Sequence, residues 1–539
     1  MQKALLSILF LPLLLSAQPT VTHIPGHSTK ERSIVDLVRD GHTGNLFILY
    51  RGEFLAGKFG PTGDTYRYEW DVEVLSPDWK QIHAANTHEL KAPKGDKILN
   101  GKLVSMHGNA GVIFLLYQKK EDKSIVYRAP LGVSGMTETP TEIGSLDGKY
   151  LEESQLMYAY SADSSLFMIA QHPSRDKPKE PFSYIVVDEQ GKVRRKGNLS
   201  IPQQPSDIVV GYPMIANDGT IWAPVWTYEN SLRQEVWIWG ANNARTTVVD
   251  ISPSKERIVT DLQLRQSSYD GYVYAGGTFA AASGEAEKGM FRGKKWNNDP
   301  NPEQGTLSLK LDSKSGKVLT RSVQEFSPAT LNFWGEKPGI LQKGGGLNSL
   351  RVVDILPMRD GSTWVGIEQF YQLFQEGTIN YTPQAIGSIT DGAKYGDPCS
   401  LSAIVAHYAP SGEVLQELVI GKRTWSIGNA GIGYFFAAKD QGGLLALYTD
   451  HEDNPGKSII KEENLERTMV GGYGNMKKTA CAALFTASPQ GKTTSRRLFT
   501  QKETGDWLNP DAYVQIAPNS YVFLHLITGN KYGLLRVDW

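Results

Sequence analysis

The stretch DGSTWVGI, Asp360 to Ile367, joins a tight turn to a short apolar strand that carries a tryptophan. Asp-Gly supplies the positive φ that a hairpin demands, and the β-branched and aromatic residues after it suit a half-buried strand. The same arrangement recurs along the chain, at Asp40-Gly41 before NLFILY, Asn109 to Gly111 before VIFLLY, Asp163 to Ser165 before LFMIA and Asp218-Gly219 before TIWAPVW. It returns at Asp270-Gly271 before YVYAGG, Asp440 to Gly443 before LLALY and Pro518 to Ser520 before YVFLHL. With Asp360-Gly361 that makes eight.

A second turn follows each of the first seven strands. It reads SPDWK at Ser76, LGVSG at Leu131, DEQGKV at Asp188, GANNAR at Gly240, DSKSGKV at Asp312, APSGEV at Ala409 and SPQGKT at Ser488. Each unit is thus four strands, A to D, with tight A–B and C–D turns. Four-stranded units repeated every ~40 to 55 residues predict an all-β chain folded as a single β-propeller. The eighth unit has A (Tyr513 to Ala517), B (Tyr521 to Thr528) and C (Tyr532 to Val537) but no D, while TVTHI, Thr20 to Ile24, is unclaimed. The sequence therefore predicts eight blades, the N-terminal strand pairing with the C-terminal blade to close the ring; seven blades and an extra hairpin is the alternative. The B strands, with Phe47, Phe114, Phe167, Trp222, Tyr274, Trp364, Leu445 and Phe523, should fill the space between blades.

No Pro/Ser-rich linker, charge block or low-complexity tract divides the 539 residues, so residues 18–539 read as one domain. The best helical pattern, Gly456 to Arg467, is short. Residues 1–17 carry Lys3, an apolar run from Ala4 to Leu15 and Ser16-Ala17, which together read as a secretory signal peptide cut before Gln18. An exported protein is expected, periplasmic or extracellular, with no membrane span. The formal charge is −1, or −2 once Lys3 is lost, with both signs interspersed. Such a balance argues against nucleic acid as the partner, which would need a basic face or stripe. Cys399 and Cys481, the two cysteines, open C strands of neighbouring blades; such positions usually exceed the ~7 Å Cα limit for bridging. Two buried thiols are expected, a disulfide being the alternative.

Surplus chain collects in the B–C connections, after Arg51, His172, Ala280, Phe370 and Tyr448, and in the D–A segment from Phe326 to Ser349. Because strands alternate in direction, these connections share one face, and loops on a rigid scaffold commonly carry function. They hold MFRGKKWNNDPNPEQG (Met290 to Gly305) and LNFWGEK (Leu331 to Lys337). Exposed rings beside Asn, Asp and Arg suit stacking on sugars or anchoring a peptide. Arg292, Lys295, Trp296, Trp334, Tyr371, Tyr381 and Asp450 are the candidate ligand-binding residues; the opposing possibility is that the loops bury these rings among themselves.

Catalytic signatures do not occur: G-x-S-x-G, G-x-x-x-x-G-K-[ST], HExxH and a strand–GxGxxG–helix unit are all missing. Asp450, Glu452, Asp453 and Asn454 are hard oxygen donors of the kind Ca²⁺ takes, but their spacing fits no EF-hand. No cofactor, metal or catalytic residue is expected. A monomeric binding or scaffolding module for an envelope or extracellular protein, peptide or glycan is the favoured function. The alternative is a propeller hydrolase or lyase acting on an extracellular polysaccharide, which a cluster of Asp, Glu or His at the channel mouth would support.

LKLDSKSGKVL, Leu309 to Leu319, resembles the repeat turn of quinoprotein-like eight-bladed propellers, although only one unit matches, Ser315 stands where Thr is usual and the docking Trp is missing. GTLSLKLDSKSGKVL, STWVGIEQFY, SAIVAHYAPSGEVLQELVIGK, GLLALYTDHEDNPGK and ASPQGKTTSRRLF, within Gly305 to Trp539, are similar to a group of uncharacterised exported proteins of Bacteroidota. That resemblance implies an exported β-propeller in the envelope or outside the cell, with no assigned activity.

Overall fold

In the computed structural model, positive φ falls where most of the tight turns were predicted. Gly219, Gly271 and Gly361 stand at +83°, +75° and +83°, and Gly361 donates its N–H to the Met358 carbonyl at 3.0 Å. In the first unit the turn comes later than its Asp-Gly suggests, since Gly44 rather than Gly41 takes φ +74°. Asp40 is the reason: its carbonyl accepts from Gly44 N–H and its carboxylate from Thr43 Oγ1, at 2.8 and 2.7 Å, so the loop runs to Asn45.

The structure describes residues 20–24, 33–55, 66–85, 98–106, 109–118, 123–136, 140–147, 156–171, 182–199, 208–228, 232–240, 245–282, 302–333, 347, 350–373, 379–380, 397–422, 424–426, 433–439, 442–455, 468–470, 479–504, 506–527 and 531–539. The strands among them form eight sheets. Numbered along the chain, the first runs Ser33–Arg39, Leu46–Leu55, Tyr66–Leu75, Gln81–His83, and the second Ile98–Met106, Asn109–Gln118, Lys123–Gly132, Thr141–Asp147. The third runs Leu156–Tyr160, Leu166–Gln171, Phe182–Asp188, Val193–Leu199, and the fourth Ile208–Val210, Ile221–Tyr228, Leu232–Trp239, Arg245–Asp250. The fifth is Arg257–Gln266, Val273–Ala281, Glu303–Leu311, Val318–Glu325, and the sixth is built on Leu350–Pro357, Thr363–Leu373, Asp397–Tyr408, Val414–Ile420. The seventh is Tyr434–Lys439, Gly443–His451, Ala480–Ala487, Thr493–Thr500. In the last, Thr20–Ile24 lies beside Lys531–Asp538, followed by Ser520–Ile527 and Asp506–Ala517.

Apolar side chains join each sheet to the next. Trp70 and Leu49 meet Leu103 and Tyr127 between the first and second; Trp222 and Trp226 meet Val259 and Leu307 between the fourth and fifth. Trp364 and Val405 meet Phe436 and Leu444 between the sixth and seventh. Val522, Leu524 and Tyr532 of the eighth pack on Leu46, Ile48 and Tyr50 of the first. Sheets packed face to face around an axis, the last against the first, make the chain a single all-β propeller. Of the predicted B-strand core, Phe47, Phe167, Trp222, Tyr274, Trp364, Leu445 and Phe523 are all buried; the Phe114 side chain lies outside the described residues. Indoles add polar ties, Trp70 Nε1 donating to Ile98 O (3.3 Å) and Trp226 Nε1 to Val259 O (3.0 Å) in the neighbouring sheet.

Glu73 fixes the contact between the eighth and first sheets. Its Oε2 accepts from Tyr50 Oη at 2.5 Å and from Tyr532 Oη at 2.6 Å, inside the fold. Across the N-terminal strand, Thr20 stands opposite Asp538 and Ile24 opposite Leu534. The sixth sheet carries an addition: Thr424–Ser426 pairs in parallel with Thr468–Val470, a strand from the seventh unit's B–C connection. The segment Gly456 to Arg467 lies outside the described residues; helices appear at Pro328–Phe333 and Gln501–Thr504.

Candidate functional site

The first strand of each unit is the innermost one, and in four of them a repeated signal sits mid-strand. IVDL (Ile34 to Leu37), ILNG (Ile98 to Gly101), VTDL (Val259 to Leu262) and VVDI (Val352 to Ile355) each place Asp or Asn in an apolar run. At each the ladder slips by one residue, between Ile34 and Asp36, Ile98 and Asn100, Val259 and Asp261, Val352 and Asp354. Such bulges re-aim side chains. Two of the re-aimed carboxylates reach the following sheet: Asp36 Oδ2 accepts from Leu103 N–H at 3.0 Å, and Asp261 Oδ2 from Val352 N–H at 2.7 Å. Lys102 Nζ lies 2.8 Å from Asp36 Oδ2, and Arg265 Nη1 lies 2.5 Å from Asp354 Oδ1. Burial pushes the Asp36 and Asp261 carboxyls up, the latter to about 6. The turn signals had drawn attention away from this motif, although it is plain in the sequence.

Arg351 is held from three sides. Val352 N–H, on one side of it, goes to Asp261, and Leu350 N–H, on the other, goes to the Glu303 carboxyl. Glu303 also exchanges backbone hydrogen bonds with Leu347, at 2.6 and 2.8 Å. The guanidinium pairs with Glu368, which takes Ser400 Oγ at 3.0 Å, and it covers the Phe370 ring at 3.8 Å. Glu303 is 4% exposed, and burial, reinforced by the Asp261 charge, pushes its carboxyl up to about 8.

Side chains of non-neighbouring sheets come near one another. Tyr160 of the third sheet lies in the field of Asp36 of the first, and Tyr212 of the fourth in the fields of Arg351 of the sixth and Asp261 of the fifth. Arg265 of the fifth sheet acts on Tyr521 of the eighth, as does Asp354. Burial pushes the Tyr160 and Tyr212 phenols up, yet these residues keep 38% and 46% of their surface exposed. Both rings are therefore open to solvent on one side and close to charges of a sheet two places away on the other. Tyr212 takes this position because the inner strand of the fourth sheet is interrupted: Ile208–Val210 and Met214–Ile215 both pair with Ile221–Tyr228, and the residues between them leave the ladder.

Of the seven residues proposed from sequence, two lie among the described residues. Arg292, Lys295, Trp296, Trp334 and Tyr381 lie outside the described residues. Tyr371 is in strand Thr363–Leu373, opposite Cys399, rather than in a loop. Asp450 is corrected from exposed loop to buried strand. It belongs to Gly443–His451, opposite Cys481, and its Oδ1 accepts from His451 N–H (2.8 Å) and Asn454 Nδ2 (3.0 Å). The strand simply runs past the point where acidic residues suggest a loop. Cys481 is a buried free thiol whose ionisation burial pushes upward. Glu452 pairs with Lys502, and among the described residues no group of three or more His, Cys, Asp or Glu is placed to hold a metal ion. Nor is any described helix long and apolar enough to cross a membrane.

No family model matches the chain, and no curated protein does. Among solved structures it is similar to the Dos1 propeller, with 8% identity, TM-score 0.43 and 96% of this chain covering 95% of that one. Polysaccharide lyase Uly1 follows at 8% identity and TM-score 0.40, covering 85% and 92%. BP39L lectin from Burkholderia pseudomallei gives 8% identity and TM-score 0.32, covering 86% and 97%. At this level of likeness nothing of those proteins' activities carries over.

Proposed function

We propose that the eight sheets are the eight blades of one ring, closed by the N-terminal strand, and that the protein is an exported, non-catalytic binding propeller. Its ligand, a protein, peptide or glycan, enters the axial channel from the face carrying the long B–C and D–A connections. The observation that supports this reading is that Tyr160 of the third sheet feels Asp36 of the first, and Tyr212 of the fourth feels Arg351 of the sixth, while the two tyrosines keep 38% and 46% of their surface exposed. The enzyme alternative asks for acidic groups at the channel. Asp261, Glu303 and Glu368 are there, but with exposures of 2%, 4% and 0% they are backing for backbone amides and for Arg351.

A peptide and glycan panel tests this. Replacing both Tyr160 and Tyr212 with Ala should abolish binding with little change in melting temperature; an undiminished signal from the double variant would refute the axial site. Export follows from the leader reading, and mass spectrometry of the protein from its source should find Gln18 as the first residue.

A further inference from the structure

Resting on that axial reading, we infer that the ligand is a neutral, hydroxyl-rich chain, a saccharide without charged substituents. The argument is one of charge balance along the channel. Among the described residues Lys102, Arg265 and Arg351 of the inner strands are each matched by a carboxylate, Asp36 at 2.8 Å, Asp354 at 2.5 Å, and Glu368, while Arg39 gives its guanidinium to the Ile516 carbonyl. A charged ligand entering an enclosed space loses hydration and must find an opposite charge there. Here each of those three matched cations already faces its own counter-charge. Asp261 stands behind the wall, 2% exposed and accepting the Val352 N–H, and burial pushes the carboxyl of Glu303 beside it, 4% exposed, well up.

What the wall does offer is phenol. Tyr160, Tyr212 and Tyr513, from the third, fourth and eighth sheets, are 38%, 46% and 43% exposed, and Tyr269 adds a ring at the tight-turn end. A phenol presents a flat apolar face with one hydroxyl, the counterpart of a sugar's C–H face and equatorial hydroxyls. Matched ion pairs complement this, because carboxylate lone pairs and guanidinium N–H groups can bond a vicinal diol without needing net charge. The fourth sheet spends ladder bonds to present its ring. Gly211, which donates to Pro224 O at 2.8 Å, lies close against its neighbours, since a Cβ there would stand 3.2 Å from Trp226 and 3.3 Å from Pro224. Pro213, lacking an N–H, completes the break.

Calorimetric titration of the full chain decides the matter, with linear gluco-, xylo- and manno-oligosaccharides, an oligouronate and an oligolysine as probes, at about 50 and about 500 mM salt. At least one neutral oligosaccharide should bind, with affinity changing less than about twofold between the two salts. Tyr212→Ala should weaken it by about tenfold or more, and Tyr212→Phe, which keeps the ring, by much less. Should Tyr212→Ala fail to fold, Tyr160→Ala on another sheet serves the same comparison. If only the oligouronate or oligolysine binds, steeply with salt and through Tyr212, the neutral-ligand inference is overturned while the axial site stands. If a neutral oligosaccharide binds both alanine variants as well as the parent, the axial site itself falls. Binding by no neutral probe overturns the inference.

Discussion

Removing the Tyr532 hydroxyl tests whether the eighth sheet is fastened to the first as the structure shows. In Tyr532→Phe the ring stays between Tyr50 and its apolar neighbours, while Glu73 loses one of the two phenols on Oε2. A hydrogen bond to a charged acceptor contributes about 1.5 to 3 kcal/mol, and the carboxylate is left buried with fewer donors. Equilibrium unfolding in urea at neutral pH should therefore show a loss of about 2 kcal/mol at unchanged m-value. A double-mutant cycle with Glu73→Gln should recover most of it as coupling. The pH dependence supplies a second reading. Burial raises both phenols, helped by the Glu73 charge, so the folded state keeps protons that the unfolded chain releases near pH 10. Stability from this source is constant below that pH and falls above it, by about 1.4 kcal/mol per pH unit for each phenol. Tyr532→Phe should lower the alkaline slope by one phenol's share, about 1.4 kcal/mol per pH unit. A loss under about 0.5 kcal/mol, with an alkaline limb unchanged, would refute the reasoning.

Glu303→Gln should stabilise the protein in alkali: the folded carboxyl binds its proton up to about 8 against an ordinary 4.5, so stability falls as pH rises between them. The substitution should restore about 3 to 5 kcal/mol at pH 8.5 and have little effect at pH 4.5, and parallel stability profiles would count against it. Trp222→Ala and Trp364→Ala empty fully buried sites between neighbouring sheets. Each should cost about 3 to 5 kcal/mol in denaturant unfolding, and normal stability would show that these rings do not carry the packing.

The fold was legible because its turns are local chemistry. Asp218-Gly219, Asp270-Gly271 and Asp360-Gly361 each declare a hairpin within a few residues, and large apolar residues two or three positions later declare a buried strand. Gly41 misled because side-chain bonding by Asp40 extends the loop, which composition alone does not encode. The channel was hardly legible. Tyr160 and Asp36, like Tyr212 and Arg351, are far apart in the chain and come near each other only because the sheets bring their inner edges together. Asp36, Asp261 and Asp354 could have been found, since they interrupt apolar runs at matching places, but a period-two reading treats such residues as a strand's solvent face. Asp450 misled in the opposite sense, its acidic neighbours suggesting a loop where the strand continues.

The pairing of Thr20 with Asp538 also has a mechanical side. Because the two strands are antiparallel and their outer ends lie together, a force drawing residue 20 away from residue 538 loads the ladder one rung at a time. The strand would unzip from Asp538 toward Leu534 at low tension, whereas a pull applied inside the ring would have to shear whole sheets apart. Tethered by those two ends, the molecule would open at a single, defined place and leave the remaining sheets packed.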